Sequence, residues 1–307
     1  MYRKVSSSRV IKLFLYSILL SIVGMLIPIF FAFIPAMYLS EMRRQGTLPI
    51  LGVFVGVCVV TGLLTEPMMG LTLLTIMGPL ILIMDYCMRT DRSVKVTMAI
   101  GTFVFVASCG FVLYRSGMLQ ALQSGEFLKD LGAIQQEVVK NANLSEVEQG
   151  RVMSQLKTVV GQATTLFPAF LVLSGVVMSY LSYRISGRNI QLAGEKVVCP
   201  GPFPFMKLPK APVIASVIIL AVAYAVSASA APEIGVYVNN GLVIILGLLS
   251  FQGLSIVNFF LLRYVRSPLV RGLIMVLVFT IPVGQMGLLA LGLIDQFIDI
   301  RSIQGVQ

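Results

Sequence analysis

The sequence predicts an all-α polytopic membrane protein: a transmembrane helical bundle of eight or nine spans with an external amphipathic helical hairpin. Three observations predict it. Of 307 residues, 57% are hydrophobic and 12% charged, against about 25% charged in a soluble domain. The apolar residues gather in eight runs, most of them near the ~20 residues that cross ~30 Å of hydrocarbon. The basic residues fall in alternate turns between those runs, which is the positive-inside distribution. The net charge of +10 is therefore read as membrane orientation. The partner it implies is the lipid bilayer, and no nucleic acid is expected.

The chain opens MYRKVSSSRVIK, a charged start like that of a signal sequence. The apolar run behind it, Leu13 to Leu39, is too long for a signal h-region, so it is expected to stay as an anchor. Pro28 and Pro35 break this run. The following runs are Leu48 to Leu64, Met68 to Met84, Val96 to Tyr114, Thr165 to Tyr183, Ala211 to Ala231, Val236 to Leu262 and Gly272 to Ile294.

The turns decide orientation. Arg43 and Arg44 follow the first run, Arg89, Arg92 and Lys95 the third. Arg184, Arg188, Lys196, Lys207 and Lys210 follow the fifth, and Arg263, Arg266 and Arg271 the seventh. The turns after the second and sixth runs carry no Lys or Arg, and the segment 115–163 has five positive and five negative residues. Basic turns belong in the cytoplasm. The N-terminus is also basic, so both ends of the first run belong there. Residues 11–41 are then expected to cross twice as two short helices, bent at Ile27–Pro28 where proline interrupts the helical ladder. This favours nine crossings over eight, with the N-terminus cytoplasmic and the C-terminus outside.

The whole chain, 1–307, reads as one integral membrane domain with an extracytoplasmic insert at 115–163. In the insert, Leu119, Leu122, Phe127, Leu131, Ile134 and Val138 recur at helical spacing. Asn141-Ala142-Asn143 is a turn, and Ser145 with Glu148 makes a capping box that opens a second helix.

Four cysteines lack CxxC spacing and there is no histidine. That excludes His-based zinc sites and Ser-His-Asp triads. Methionines 68, 69, 77, 84 and 88 read as packing residues. No P-loop, ABC signature or HExxH appears, so the chain cannot itself hydrolyse ATP, and no cofactor or metal is expected. Asp295 and Asp299 as an acid–base pair would lack a second-site partner, so no enzyme is expected either.

The candidate substrate-binding residues lie in the last two runs. Gln285, Gly292, Asp295 and Asp299 fall within a quarter-turn of one helix face, which presents an amide, a gap and two carboxylates toward the outer side. The bland reading is a hydrated helix end with Asp299 near Arg301. Gln252, Ser255 and Asn258 share a face of the preceding helix. They can hydrogen-bond a ligand between helices or act as the interhelical glue that such groups supply in membranes. Gly241, Gly247, Gly253, Gly284 and Gly287 read as points of close helix approach. Glu66 and Glu233, beside prolines, read as hydrated turn residues.

Several local patterns also resemble a known family. They are the early proline break before Met42-Arg43-Arg44-Gln45-Gly46, the amphipathic insert, and the helix entry Phe203-Pro204-Phe205 with Leu208-Pro209. The Asn-bearing helix ending in Phe259-Phe260 and the closing Gly292-Leu293-Ile294-Asp295 with Asp299-Ile300-Arg301 complete them. On these the chain resembles the YybS-like bacterial membrane proteins, a family of unknown function. Met206 stands where a bulky aromatic is expected, and tryptophan is absent.

That family is distantly similar to the S components of energy-coupling factor transporters, from whose six-span pattern the extra helices here depart. The resemblance implies a multi-pass protein of the bacterial cytoplasmic membrane that captures a small-molecule substrate and pairs with an ATPase and transmembrane coupling module. The runner-up from another class is a non-transporting scaffold or assembly protein acting through the hairpin or the cytoplasmic loops.

Overall fold

The computed structural model describes residues 7–118, 120, 146–229, 234–298, 300 and 301. Among them every regular element is a helix. Among the described residues, seven helices are long and apolar enough to cross a membrane, and a bent pair makes an eighth candidate. This is the predicted polytopic bundle. Two compact units divide the chain: Met1–Phe167 with Ser174–Cys199, and Pro168–Leu173 with Pro200–Gln307.

In the first unit, α1 (Ser7–Leu26) is followed by a 3-10 turn, Pro28–Ala32, and then by α2 (Phe33–Gln45). The break falls at the expected Ile27–Pro28 step. At 1.5 Å per residue, α2 is ~20 Å long, short of the ~30 Å needed to cross alone. The ninth expected crossing rests on this helix. It is nonetheless the most enclosed element of the unit, with Ile34, Ala36, Tyr38, Leu39 and Met42 buried. Tyr38 meets Phe54 edge to face at 5.1 Å, the arrangement that aromatic quadrupoles favour.

Gly46 ends α2 at φ +96°, a conformation that costs a residue with a Cβ. It turns the chain directly into α3 (Thr47–Leu64), and Pro67 then opens α4 (Pro67–Arg89). α3 and α4 approach so closely at Gly70 that a Cβ there would collide with the Cys58 carbonyl. α5 (Val94–Arg115) starts at Ser93, whose hydroxyl accepts from Val96 N at 3.4 Å.

The ends of α2, α3 and α4 share one polar corner. Arg43 donates to the Met88 carbonyl at 2.8 Å and Arg89 to the Met42 carbonyl at 3.0 Å, a reciprocal exchange between helix C-termini. Asp85 takes Arg89 Nε and the Thr47 hydroxyl, each at 2.8 Å. Arg89, one helical turn on, is thus the ion-pair partner of Asp85. The carbonyls left open at a helix end are satisfied here by guanidinium groups. Of the methionine group, Met77, Met84 and Met88 are core residues, and Met68 and Met69 are exposed.

α6 runs unbroken from Glu146 to Leu192, 47 residues with Pro168 inside. The sequence reads a capped helix near 145 and a separate span from Thr165, but the chain joins them. The first helix expected in the insert lies outside the described residues.

The second unit contains α7 (Lys210–Ser229), α8 (Gly235–Tyr264), α9 (Pro268–Thr280) and α10 (Pro282–Phe297). The sequence reads a single span from Gly272 to Ile294, but the structure bends it by 99° between α9 and α10. The cause is local. Pro282 lacks an N–H and biases the residue before it toward extended backbone, and Ile281 sits at φ −82°, ψ 129°.

Candidate functional site

α10 crosses α8 where two glycines remove the side chains that would hold them apart. A Cβ on Gly253 would collide with the Leu288 carbonyl, and one on Gly292 with the Leu249 carbonyl. Small residues let membrane helices approach backbone to backbone, as expected for Gly253. This crossing carries the polar residues of both helices into contact.

Gln252 and Asp295 are both fully buried, and Gln252 Nε2 donates to Asp295 Oδ2 at 2.6 Å. Gln252 Oε1 accepts from Gln296 Nε2 at 2.6 Å and from Leu208 N at 3.2 Å. Arg301 NH2 reaches the same Asp295 Oδ2 at 2.8 Å, with both side chains fully buried. Its NH1 donates to the Pro204 carbonyl at 2.8 Å and the Ser255 hydroxyl at 2.9 Å. Ser255 in turn donates to the Phe203 carbonyl at 2.6 Å.

The Phe203–Phe205 turn is held on its apolar side as well. Phe203 meets Phe251, and Phe205 meets Phe259, both edge to face, and Arg263 stacks over the rings of Phe259 and Phe260. The Phe-Pro-Phe pattern and the Phe259-Phe260 helix end, far apart in sequence, are thus one contact.

A buried charge pair is stable only when each partner's remaining lone pairs and protons are satisfied. Here the network closes around most of them and leaves three atoms over. Asp295 Oδ1, Gln296 Oε1 and Arg301 Nε are buried without a protein hydrogen-bond partner. Two acceptors and one donor therefore remain on the residues of an otherwise linked cluster.

Of the six residues expected at the site, Gln252, Ser255 and Asp295 come together. Asn258 is half-buried one turn further along α8 and joins none of the bonds just named. Gln285 is exposed and donates to the Phe279 carbonyl at 2.9 Å, so it serves the α9–α10 bend and stands outside the cluster. Asp299 lies outside the described residues. Asp295 is linked through Gln252 to Leu208 N, in the segment that precedes Lys210. Gln296 and Arg301 complete the cluster. The sequence marks Arg301 only as the neighbour of Asp299 at a hydrated helix end, and gives no mark to Gln296.

Among the described residues, no three His, Cys, Asp or Glu side chains gather to hold a metal ion. A separate apolar groove of about 280 Å³ lies between α3 and α4, lined by Val55, Cys58, Val59, Leu63, Leu71 and Leu74 among others.

The family profile described as "Predicted membrane protein (DUF2232)" matches residues 10–296. The chain belongs to this family. The resemblance to a membrane family of unknown function thus holds across nearly the whole chain. No curated protein and no solved structure matches it. In this DUF2232 member the cluster joins the last two apolar runs and the Phe203–Leu208 segment, all but its final Arg301 inside the matched region.

Proposed function

We propose that this DUF2232 protein binds a small polar solute at the Gln252–Asp295–Gln296–Arg301 cluster and serves its transport across the bacterial cytoplasmic membrane, in the manner of an S component that works with an ATPase module. One observation carries the reading: two acceptor oxygens and one guanidinium N–H are buried in the cluster without partners. Polar groups withdrawn from water without hydrogen bonds are costly. A solute offering two donors and one acceptor would relieve all three. The ion pair beside it is neutral overall, which suits an uncharged or zwitterionic molecule.

The test is gentle purification of the full chain from its own membrane, with mass spectrometry of what stays bound. One stoichiometric small molecule, or a co-purifying ATPase module, supports the proposal. Envelope or signalling proteins with no solute overturn it. Gln296→Leu keeps the Asp295–Arg301 pair and removes one free acceptor together with the bond from Gln296 Nε2 to Gln252 Oε1, while Gln252 Oε1 keeps Leu208 N. It is expected to weaken solute binding about tenfold, the equivalent of one hydrogen bond, and unchanged affinity moves the site elsewhere.

A second reading, a scaffold or assembly role, has its own observation. α6 has a contour of ~70 Å at 1.5 Å per residue, more than twice the hydrocarbon thickness. A helix of that length offers surface for another protein beyond the bilayer.

A further inference from the structure

The bent pair α9 and α10 has the apolar content of one span, and its length and composition fit either a broken crossing or a loop that enters and returns. We propose that it returns: α9 and α10 form a re-entrant hairpin, and Arg301 lies on the same side as the basic turn that starts α9.

The register of the second unit carries this. α7 and α8 run antiparallel, since Gly235 lies beside the Ser227 hydroxyl and Gly241 beside the Leu220 side chain. The far end of the pair is the Ser229–Gly235 end. Its near end holds Lys207, Lys210, Arg263 and Arg266, and Leu208 N reaches Gln252 there. α9 departs from this near end, capped by Ser267 and tied back by Arg271 NH1 to the Val265 carbonyl at 3.2 Å.

α9 is ~20 Å long and α10 ~24 Å, so neither spans ~30 Å of hydrocarbon. The 99° bend turns α10 across the direction of α9. α10 then meets α8 at Leu249 and Gly253, ~21 Å and ~27 Å along α8 from Gly235. From there the chain runs back to Arg301, which bonds Ser255 and the Pro204 carbonyl. Both are groups of the near end.

The bend itself is built to lie in a poorly hydrated setting, where open backbone groups must find partners. Ile281 N donates to the Leu277 carbonyl and Gln285 N to the Ile281 carbonyl. Gln285 Nε2 covers the Phe279 carbonyl, and the Thr280 hydroxyl covers those of Val276 and Leu277. The consequence is a C-terminus on the basic side, where the charge pattern alone had set it outside. This inference stands apart from the solute-binding proposal.

The test is cysteine accessibility in sealed vesicles of both orientations, on the full chain. Cys58, Cys87, Cys109 and Cys199 are replaced by Ala. Single cysteines are then placed at Ile234→Cys, at Tyr264→Cys, or appended after Gln307, and treated with a membrane-impermeant maleimide. The appended cysteine is expected to label with the sidedness of Tyr264→Cys and opposite to Ile234→Cys. Labelling with the sidedness of Ile234→Cys overturns the hairpin. Should the cysteine-free chain fail to fold, fluorescent-protein and alkaline-phosphatase fusions to the unmodified C-terminus decide the matter. Fluorescence with a silent phosphatase supports the hairpin, and an active phosphatase overturns it.

Discussion

Removing the carboxylate of Asp295 tests the energetics of the cluster most directly. Asp295→Ala takes away the one atom, Oδ2, that accepts from both Gln252 and Arg301. The Arg301 guanidinium keeps the Pro204 carbonyl and the Ser255 hydroxyl but loses its only counter-charge among the bonds described, in a fully buried place. Breaking a buried pair by removing one partner costs about 3–5 kcal/mol, because it strands a charge. Replacing both partners by apolar groups costs far less. Asp295→Leu with Arg301→Met is therefore expected to be more stable than Asp295→Ala, and, with Asp295→Leu and Arg301→Met as its single variants, to give a coupling energy of about 2 kcal/mol or more in a double-mutant cycle.

The half-buried pair Arg44–Glu41, 4.0 Å apart, is the internal control; Arg44 keeps the Asn189 carbonyl when Glu41 is removed, so Glu41→Ala, which also frees Gln45 Nε2, should cost only about 1 kcal/mol. The assay is reversible unfolding in mixed micelles, followed by helical circular dichroism. A loss below ~1 kcal/mol for Asp295→Ala, or a double variant less stable than the single one, refutes the reasoning.

Other consequences follow from single contacts. Gly292→Val places a branched side chain against the Leu249 carbonyl and should stop α10 from seating, read as loss of folded protein from detergent extracts. Gly46→Ala strains a φ of +96° and should cost about 1 kcal/mol without changing the fold, measured by the same unfolding assay. Arg89→Ala removes the partner of Asp85 and the cap on the Met42 carbonyl together. It should destabilise the first unit by about 1–3 kcal/mol, visible as faster proteolysis of the α3–α4 hairpin. Gln285→Leu should leave solute affinity unchanged and lower stability by ~1 kcal/mol. A loss of binding with stability intact would return Gln285 to the site.

The fold class was legible because a membrane imposes it: runs of apolar residues and alternating basic turns have few solutions. The break at Pro28 was legible for the same reason, since proline acts through the backbone wherever it stands. Pro282 exerts the same local force, but it sits inside a continuous apolar run, and composition favoured reading through it. Gln252, Ser255 and Asp295 were found because polar groups at membrane depth are rare and conspicuous. Arg301 and Gln296 lie at the edge of the run, where a charge or an amide is ordinary. Only the 99° turn, which brings the chain back against Pro204, gives them a buried place. Gln285 was misplaced for a related reason, because helical spacing shows which residues share a face and cannot show that the helix has just begun.

The bond from Arg301 to Pro204 joins residues 97 positions apart. A ribosome adds about 5–20 residues each second, so the Pro204 carbonyl waits on the order of 5–20 s for its guanidinium. Gln252 and Ser255 enter the membrane in that interval with Leu208 and Phe203 already made but with Asp295, Gln296 and Arg301 still to come. The polar cluster of the second unit can therefore close only once residue 301 has been made, which sets its completion at the end of synthesis.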